Sequence, residues 1–175
     1  VVDVAAARRQ CRVDHHDEDS VISGYVDAAT ETVERDSHCW LRAATVRLQL
    51  DRFPCSGVIE LPRGPVNAVS SITYVDTNGS TQTWSSAEYI ADTESKPGRI
   101  APAHGYSWPS AREQFGSVRV LHTVGYSTPP EAAVQAILLL VGHWYDNREA
   151  DGGFLDEEVE RSYWSKLRSF QRRPV

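Results

Sequence analysis

The chain has 175 residues, of which 41% are hydrophobic and 24% charged, and its net charge is −6. This length suits one domain with a sizeable core or a compact domain with an insertion, and the composition excludes fibrous and disordered classes. A pI near 5.5 argues against a protein that grips nucleic acid, because neutralising phosphates requires clustered Lys and Arg.

The cysteines and the apolar runs limit the class further. Three cysteines without CxxC spacing, Cys11, Cys39 and Cys55, predict reduced thiols rather than a disulfide framework or a zinc knuckle. The longest apolar run, at 136–141, is far shorter than the roughly 18 residues that span a bilayer, and we find no secretory signal. We therefore expect no membrane partner.

Two helices are predicted at the start of the chain. Residues 3–11 are Ala-rich and form a short helix that depends on packing. The second helix has acids at 17–19 in its first turn and an apolar face between Val21 and Val33. Its opposite face carries the acids Asp27, Glu31 and Glu34. This helix is therefore expected to present an acidic outer surface.

After Trp40 the hydrophobic period changes to two, which predicts strands. The expected strands lie at 46–50, 58–61, 69–75, 81–84, 89–91, 98–101 and 117–123. Asn78-Gly79 predicts a type I′ hairpin turn, because both residues accept the positive φ that this turn demands. The fold class is therefore α+β, a small helical bundle (1–40 and 129–170) with a β-rich insertion over about 45–124, between the second and the central helix.

The central helix begins at Pro129 and is apolar on all sides as far as Val141, so we expect most of it to be buried. Its end changes to the aromatic and charged residues His143, Trp144, Tyr145 and Arg148. Large aromatic residues beside Arg are typical of protein-interface hot spots, and the alternative is a solvated helix end.

A last helix is predicted by the apolar stripe at 159, 163, 167 and 170. It starts acidic and ends basic, which the helix dipole alone explains. Because Phe170 lies among cations and Pro174 discourages further helix, we favour a docking segment at about 166–175. Its candidate residues are Lys166, Arg168, Phe170, Arg172 and Arg173.

Catalytic and metal sites find little support in the sequence. The densest group of potential ligands is Cys11, Asp14, His15, His16 and Asp17. It mixes soft and hard ligands without a second cluster at metal spacing, so a helix cap with solvated polar residues is the better interpretation. Gly125-Tyr126-Ser127 lacks the second Gly of a nucleophile elbow, and phosphate-binding glycine motifs are missing. We expect no catalytic residue, no metal and no cofactor.

Four short segments carry a resemblance to a known family: LPRGP at 61–65, ITYVD at 72–76, Trp108-Pro109 and HWYDNRE at 143–149. With the order of helices and strands, they resemble the head-to-tail adaptor (connector) proteins of tailed phages, prophages and gene transfer agents. The resemblance covers roughly residues 14–150 and is closest to the subgroup with a β insertion between its helices.

The resemblance implies a structural protein of the particle neck, assembled in the bacterial cytoplasm as a dodecameric ring. The ring would join the portal to a stopper or tail protein, with DNA passing through its channel without specific binding. The C-terminal segment of such proteins docks onto the portal, which agrees with the candidates at 166–175. A ring requires heterologous interfaces, for which the helix end at 143–148 and the β insertion are candidates. The acids of the second helix would suit the channel, because they repel phosphates.

Two other classes remain open. A small hydrolase-like enzyme could use His143 or the group at 14–17, and it would show a deep pocket with a strongly shifted pKa. A regulatory or nucleic-acid-binding module would show salt-dependent affinity for DNA, and the acidic pI weighs against it.

Overall fold

A computed structural model describes residues 1–148 and 156–170. The helices are α1 Val4–Cys11, α2 Asp19–Ser37, α3 Glu131–Asp146 and α4 Glu157–Leu167. The strands are β1 Ala44–Leu50, β2 Ile59–Leu61, β3 Val66–Val75, β4 Thr81–Trp84, β5 Tyr89–Asp92, β6 Gly98–Pro102 and β7 Val118–Val124. The predicted α+β class is confirmed. Within the described ranges, no helix is long and apolar enough to cross a membrane.

The chain divides into two compact units. A helical unit contains Val1–Leu41 and the described residues from Tyr126 onward, and a β unit contains Arg42–Gly125. The helical unit holds α1 to α4, and the β unit holds β1 to β7.

The core of the helical unit forms around α3, which packs against the other three helices. Ile137 and Leu140 of α3 are almost fully buried, together with Ile22 of α2 and Leu167 of α4. The expectation that most of α3 is buried is confirmed, although Leu138 and Leu139 remain half-buried. Burial of this face still supplies the main stabilisation, since each fully buried Leu or Ile contributes roughly 1.5–3 kcal/mol.

Two antiparallel sheets form the β unit. The first has the strand order β1-β7-β3-β4, and the second has the order β2-β6-β5. One row across the four-stranded sheet joins the buried faces of its strands: Leu48 pairs with Val120, Val120 with Ile72, and Ile72 with Trp84. A Cβ at Gly98 of β6 would lie 2.9 Å from Cγ2 of Val66, so the two sheets approach closely there.

Strand β3 begins at Val66, three residues earlier than predicted. Its register against β7 shifts between Val66 and Ala68 and again between Val69 and Ser71. Each shift inserts an extra residue, which moves the following side chains to the other face. The strict alternation on which the prediction relied is therefore lost in the first half of the strand.

The β3–β4 hairpin is confirmed, but the predicted type I′ turn is wrong. Gly79 has φ 89°, whereas Asn78 is not among the residues with positive φ. Gly79 donates its N–H to the carbonyl of Asp76, and Asp76 donates to Ser80. This is the three-residue loop in which a type I turn precedes a glycine with positive φ. The carboxylate of Asp76 also accepts the N–H groups of Asn78 and Ser80, which favours that geometry.

Candidate functional site

A carboxylate at the start of α2 binds the end of α3. Arg148 donates two hydrogen bonds to Glu18, Nη1 to Oε1 at 3.0 Å and Nη2 to Oε2 at 2.9 Å. The Tyr145 hydroxyl also donates to Glu18 Oε2, and the guanidinium carbon of Arg148 lies 4.1 Å from the centre of the Tyr145 ring. We call Glu18, Tyr145 and Arg148 the Glu18 cluster.

The Glu18 cluster stabilises its charged state. The hydrogen bonds from Arg148, and then that from Tyr145, lower the pKa of Glu18 to about 2. The same hydrogen bond raises the pKa of Tyr145, because ionised tyrosine would face a carboxylate. Glu18 therefore stays ionised at physiological pH. The cluster joins the start of α2 to the end of α3 and does not act as an acid–base pair.

The predicted subunit-contact residues thus have different surroundings. Tyr145 and Arg148 already have partners within their own chain. Trp144 is half-buried, and its ring centre lies 6.4 Å from that of Tyr25. His143 is also half-buried, with its Nδ1 3.3 Å from Nδ2 of Asn147. His143 and Trp144 lie outside the Glu18 cluster.

The three predicted channel acids are not equivalent. Asp27 and Glu31 are exposed on α2, as the helical pattern predicted. Glu34 is half-buried, and its Oε1 accepts a 2.7 Å hydrogen bond from the backbone N–H of Leu41. Glu34 therefore fastens the chain after α2, and only the other two acids form an open acidic face.

The candidate docking residues also separate into two groups. Phe170 is only 9% exposed and belongs to the core of the helical unit, where its carbonyl accepts from Cys39 Sγ at 3.6 Å. Its assignment to docking is corrected accordingly, since its side chain packs within its own chain. Arg168 is exposed, and Lys166 Nζ lies 3.1 Å from Ser162 Oγ. Arg172 and Arg173 lie outside the described residues.

The potential metal ligands near α1 make ordinary polar contacts. His16 Nδ1 lies 2.9 Å from Asp19 Oδ2, and Arg8 pairs with the other oxygen of Asp19 at 3.1 Å. His15 lies 3.9 Å from Asp17. In the ranges that the structure describes, no three His, Cys, Asp or Glu side chains are grouped so as to hold a metal ion.

The sequence matches a family model described as phage gp6-like head-tail connector protein over residues 2–97, which is more than half of its length. The chain belongs to this family. The predicted head-tail connector family is thereby confirmed, as is a structural role in a phage-like particle; the hydrolase alternative is not supported.

Solved structures of similar fold come from gene transfer agent (GTA) particles. A chain in the neck of an empty GTA particle, computed with C6 symmetry, has a TM-score of 0.79 at 22% identity, covering 99% of this chain and 91% of that one. A chain of the native GTA virion has a TM-score of 0.80 at 21% identity, with the same coverage. A chain from the native GTA neck, computed with C12 symmetry, gives 0.78 at 22%, covering 98% and 89%. No curated protein matches the chain.

The β unit of this connector-family chain contains an aromatic cluster that was not predicted from the sequence. Phe53 stacks on Trp108 with ring centres 4.8 Å apart, and Trp84 lies 4.9 Å from Trp108. Tyr74 and Tyr89 extend the cluster through Phe53 and Trp84. The five aromatic residues are spread between positions 53 and 108, without a regular spacing. Only their number in this part of the chain could have indicated that they form a cluster. The cluster therefore holds the loop around Trp108 against Phe53 and Trp84.

An open cleft of about 450 Å³ lies elsewhere in the β unit, and its lining includes Asp51, Arg52 and Phe115. Phe115 is 94% exposed. Its loop is fixed, since Gly116 donates its N–H to Asp51 at 2.8 Å and Arg52 lies 3.6 Å from Glu113. His143 and the group at 14–17 are not among the residues that line this cleft.

Proposed function

We propose that this chain is a ring-forming, non-catalytic adaptor in the neck of a phage-like particle. It assembles in the bacterial cytoplasm as a dodecamer and joins the portal to a stopper or tail protein. DNA passes through its channel without sequence-specific binding, and no cofactor takes part. The match of residues 2–97 to the connector family carries this proposal.

The ring is supported by the symmetry of related particles. Neck chains of the same fold belong to particles computed with C6 and C12 symmetry. Twelve copies are compatible with both, because a twelvefold ring contains the sixfold axis. Such a ring needs two different patches on each chain, since its interfaces are heterologous.

The end of α3 is a candidate for one of these patches, because His143 and Trp144 lie there outside the Glu18 cluster. A half-buried Trp suits an interface anchor, because aromatic residues at the centre of an interface carry much of the binding energy. Tyr145 and Arg148 contribute by holding this end of the helix to Glu18.

The ring itself is tested by imaging the full chain alone and with its portal. We expect closed rings, and fewer of them for Trp144→Ala. Trp164→Ala is the matched control, because Trp164 is also half-buried in the helical unit but lies on α4. Persistent monomers on the portal would contradict the ring, and equal loss in both variants would contradict the interface.

The channel wall is assigned to the exposed acids of α2. Asp27 and Glu31 would repel phosphates and keep DNA from adhering to this part of the wall, whereas Glu34 supports it through Leu41. An image of the ring at side-chain resolution tests this assignment. Carboxylates of Asp27 and Glu31 on the outer rim would contradict it.

Portal docking is assigned to the cations at the end of the chain. Deleting 166–175 is a poor test, because it would also remove the buried Leu167 and Phe170. Replacing Arg168, Arg172 and Arg173 with Gln retains both Leu167 and Phe170. We expect weaker portal binding by this triple variant, with a smaller dependence on salt, because fewer charges take part. Arg161→Gln is the control, since Arg161 is an exposed cation of α4 paired with Glu157. Unchanged portal binding by the triple variant would refute the docking role.

A further inference from the structure

The four-stranded sheet carries no acidic residue in any of its strands. None of β1, β3, β4 and β7 contains Asp or Glu, although the chain has 24 acids and a net charge of −6. The buried row across this sheet, described above, is apolar. Side chains alternate between the two faces along each strand, and the residues between those of the buried row form the opposite face, here called the outer face. The outer face is thus an acid-free surface on an acidic protein.

Two arginines lie side by side on the outer face. Arg47 of β1 pairs with Leu121 of β7, and Gln49 pairs with Arg119, so Arg47 and Arg119 are diagonal neighbours on adjacent strands. Side chains in such diagonal positions are roughly 7–8 Å apart, which is within reach of long residues. Both arginines are exposed.

These arginines have no acidic partner among the described residues. Other arginines of the chain do: Arg52 pairs with Glu113, and Arg99 pairs with Asp92 at 2.9 Å. Asp51, the acid that directly follows β1, already accepts a hydrogen bond from the N–H of Gly116. Within the described part of the chain, two positive charges therefore face outward without compensation.

The remainder of the outer face is rich in hydroxyl groups. Thr45 and Thr83 are exposed, and Thr73, which pairs with Thr83, is half-buried. Arg, Thr and Gln are side chains that contact phosphate oxygens in protein–DNA complexes. The centre of a protein–protein interface is usually apolar and aromatic, whereas the larger apolar side chains of this face are Leu121 and Val75. The aromatic rings of the four strands, Tyr74 and Trp84, lie on the buried face.

We propose that the outer face of the four-stranded sheet contacts the phosphate backbone of DNA through Arg47 and Arg119. The inference rests on the proposed ring adaptor, because one chain supplies only two such charges and a ring repeats them around the passing duplex. Repetition converts weak single contacts into measurable affinity. Contacts of this kind carry no sequence information, so they guide the duplex without holding it at one site.

The test compares assembled rings of the wild type, the double variant Arg47→Gln/Arg119→Gln, and the control Arg52→Gln. Sedimentation first establishes that each forms rings, and fluorescence anisotropy then measures binding to a short linear duplex over a range of salt concentrations. Arg52 is a matched control because it is an exposed arginine of the same unit that pairs with Glu113.

We expect the double variant to bind at least roughly tenfold more weakly at low salt, and the slope of its salt dependence to fall by about one for each phosphate that the variant no longer neutralises. The control should bind like the wild type. Equal affinity of the double variant and the wild type would overturn the proposal, as would equal weakening by the control.

Loss of rings in the double variant alone would also overturn it, because the face would then be a contact between proteins. Absence of rings in the wild type would instead contradict the proposed adaptor function. The soluble chains would in that case still test the face through the same three-way comparison, at higher protein concentration.

Discussion

Replacing Tyr163 with Phe measures how firmly α4 is attached to the helical unit. Tyr163 is 2% exposed, and its hydroxyl donates a 2.9 Å hydrogen bond to Oδ2 of Asp36 on α2. The substitution keeps the ring in its packed site and removes only this bond. Because the side chain of Asp36 is 20% exposed, water can partly replace the lost donor. We expect a loss of about 1–2 kcal/mol in the free energy of unfolding.

The same hydroxyl gives the protein an alkaline pH dependence. Burial, and next the charge of Asp36, raise the pKa of Tyr163 far above its ordinary value of 10.0. The stabilisation is complete below pH 10 and is lost as the pH rises, because the unfolded chain then releases a proton that the native chain keeps. This costs about 1.4 kcal/mol per pH unit above 10. Tyr163→Phe should remove that component.

Urea unfolding, followed by circular dichroism at neutral pH and at several values above pH 10, measures both effects. Tyr106→Phe is the control, because Tyr106 is 54% exposed. It should leave both the neutral stability and the alkaline slope unchanged. If Tyr163→Phe costs nothing at neutral pH and keeps the wild-type alkaline slope, the hydrogen bond to Asp36 does not stabilise the protein.

Three further changes test other parts of the fold. Gly125→Ala should prevent folding, as seen by circular dichroism, because a Cβ there would overlap the carbonyl of Arg42. Gly57→Ala is the matched control and should still fold, since Gly57 has a similarly positive φ of 78° but no atom within 4 Å of an added Cβ. Burial lowers the pKa of His122, so its contribution to the free energy of unfolding is present above pH 6.5 and is lost as the pH falls. His122→Leu should therefore flatten the pH dependence of urea unfolding below pH 6.5. Arg148→Gln should raise the pKa of Glu18 from about 2, as measured by NMR titration; an unchanged value would contradict the assigned cause.

Local patterns were sufficient for most of the helices and strands. The 3.6-residue period placed the buried face of α2, where Ile22 and Val26 are covered as expected. The two-residue period placed β1 and β7 to within two residues at either end. These elements could be predicted because each buries one regular face, so that the pattern survives in the sequence.

Features that depend on distant pairing could not be predicted. The strand order β1-β7-β3-β4 brings together segments that are far apart in the chain, and no local pattern specifies it. The Glu18 cluster joins residues 127 and 130 positions apart. Phe170 was misjudged for a related reason: neighbouring cations suggested a surface, whereas the helical spacing from Tyr163 and Leu167 correctly indicated the core.

The Glu18 cluster determines which residues can reveal a subunit contact at the end of α3. Substituting Tyr145 or Arg148 breaks hydrogen bonds to Glu18, so any loss of rings would mix a weaker fold with a weaker interface. His143 differs, because its hydrogen bonds join it to Asn147, one turn further along the chain. A substitution at His143 therefore separates assembly from folding. The polar end of α3 binds Glu18 of its own chain through Tyr145 and Arg148. Any contact with a neighbouring chain must therefore use the side of this helix end that does not contact Glu18.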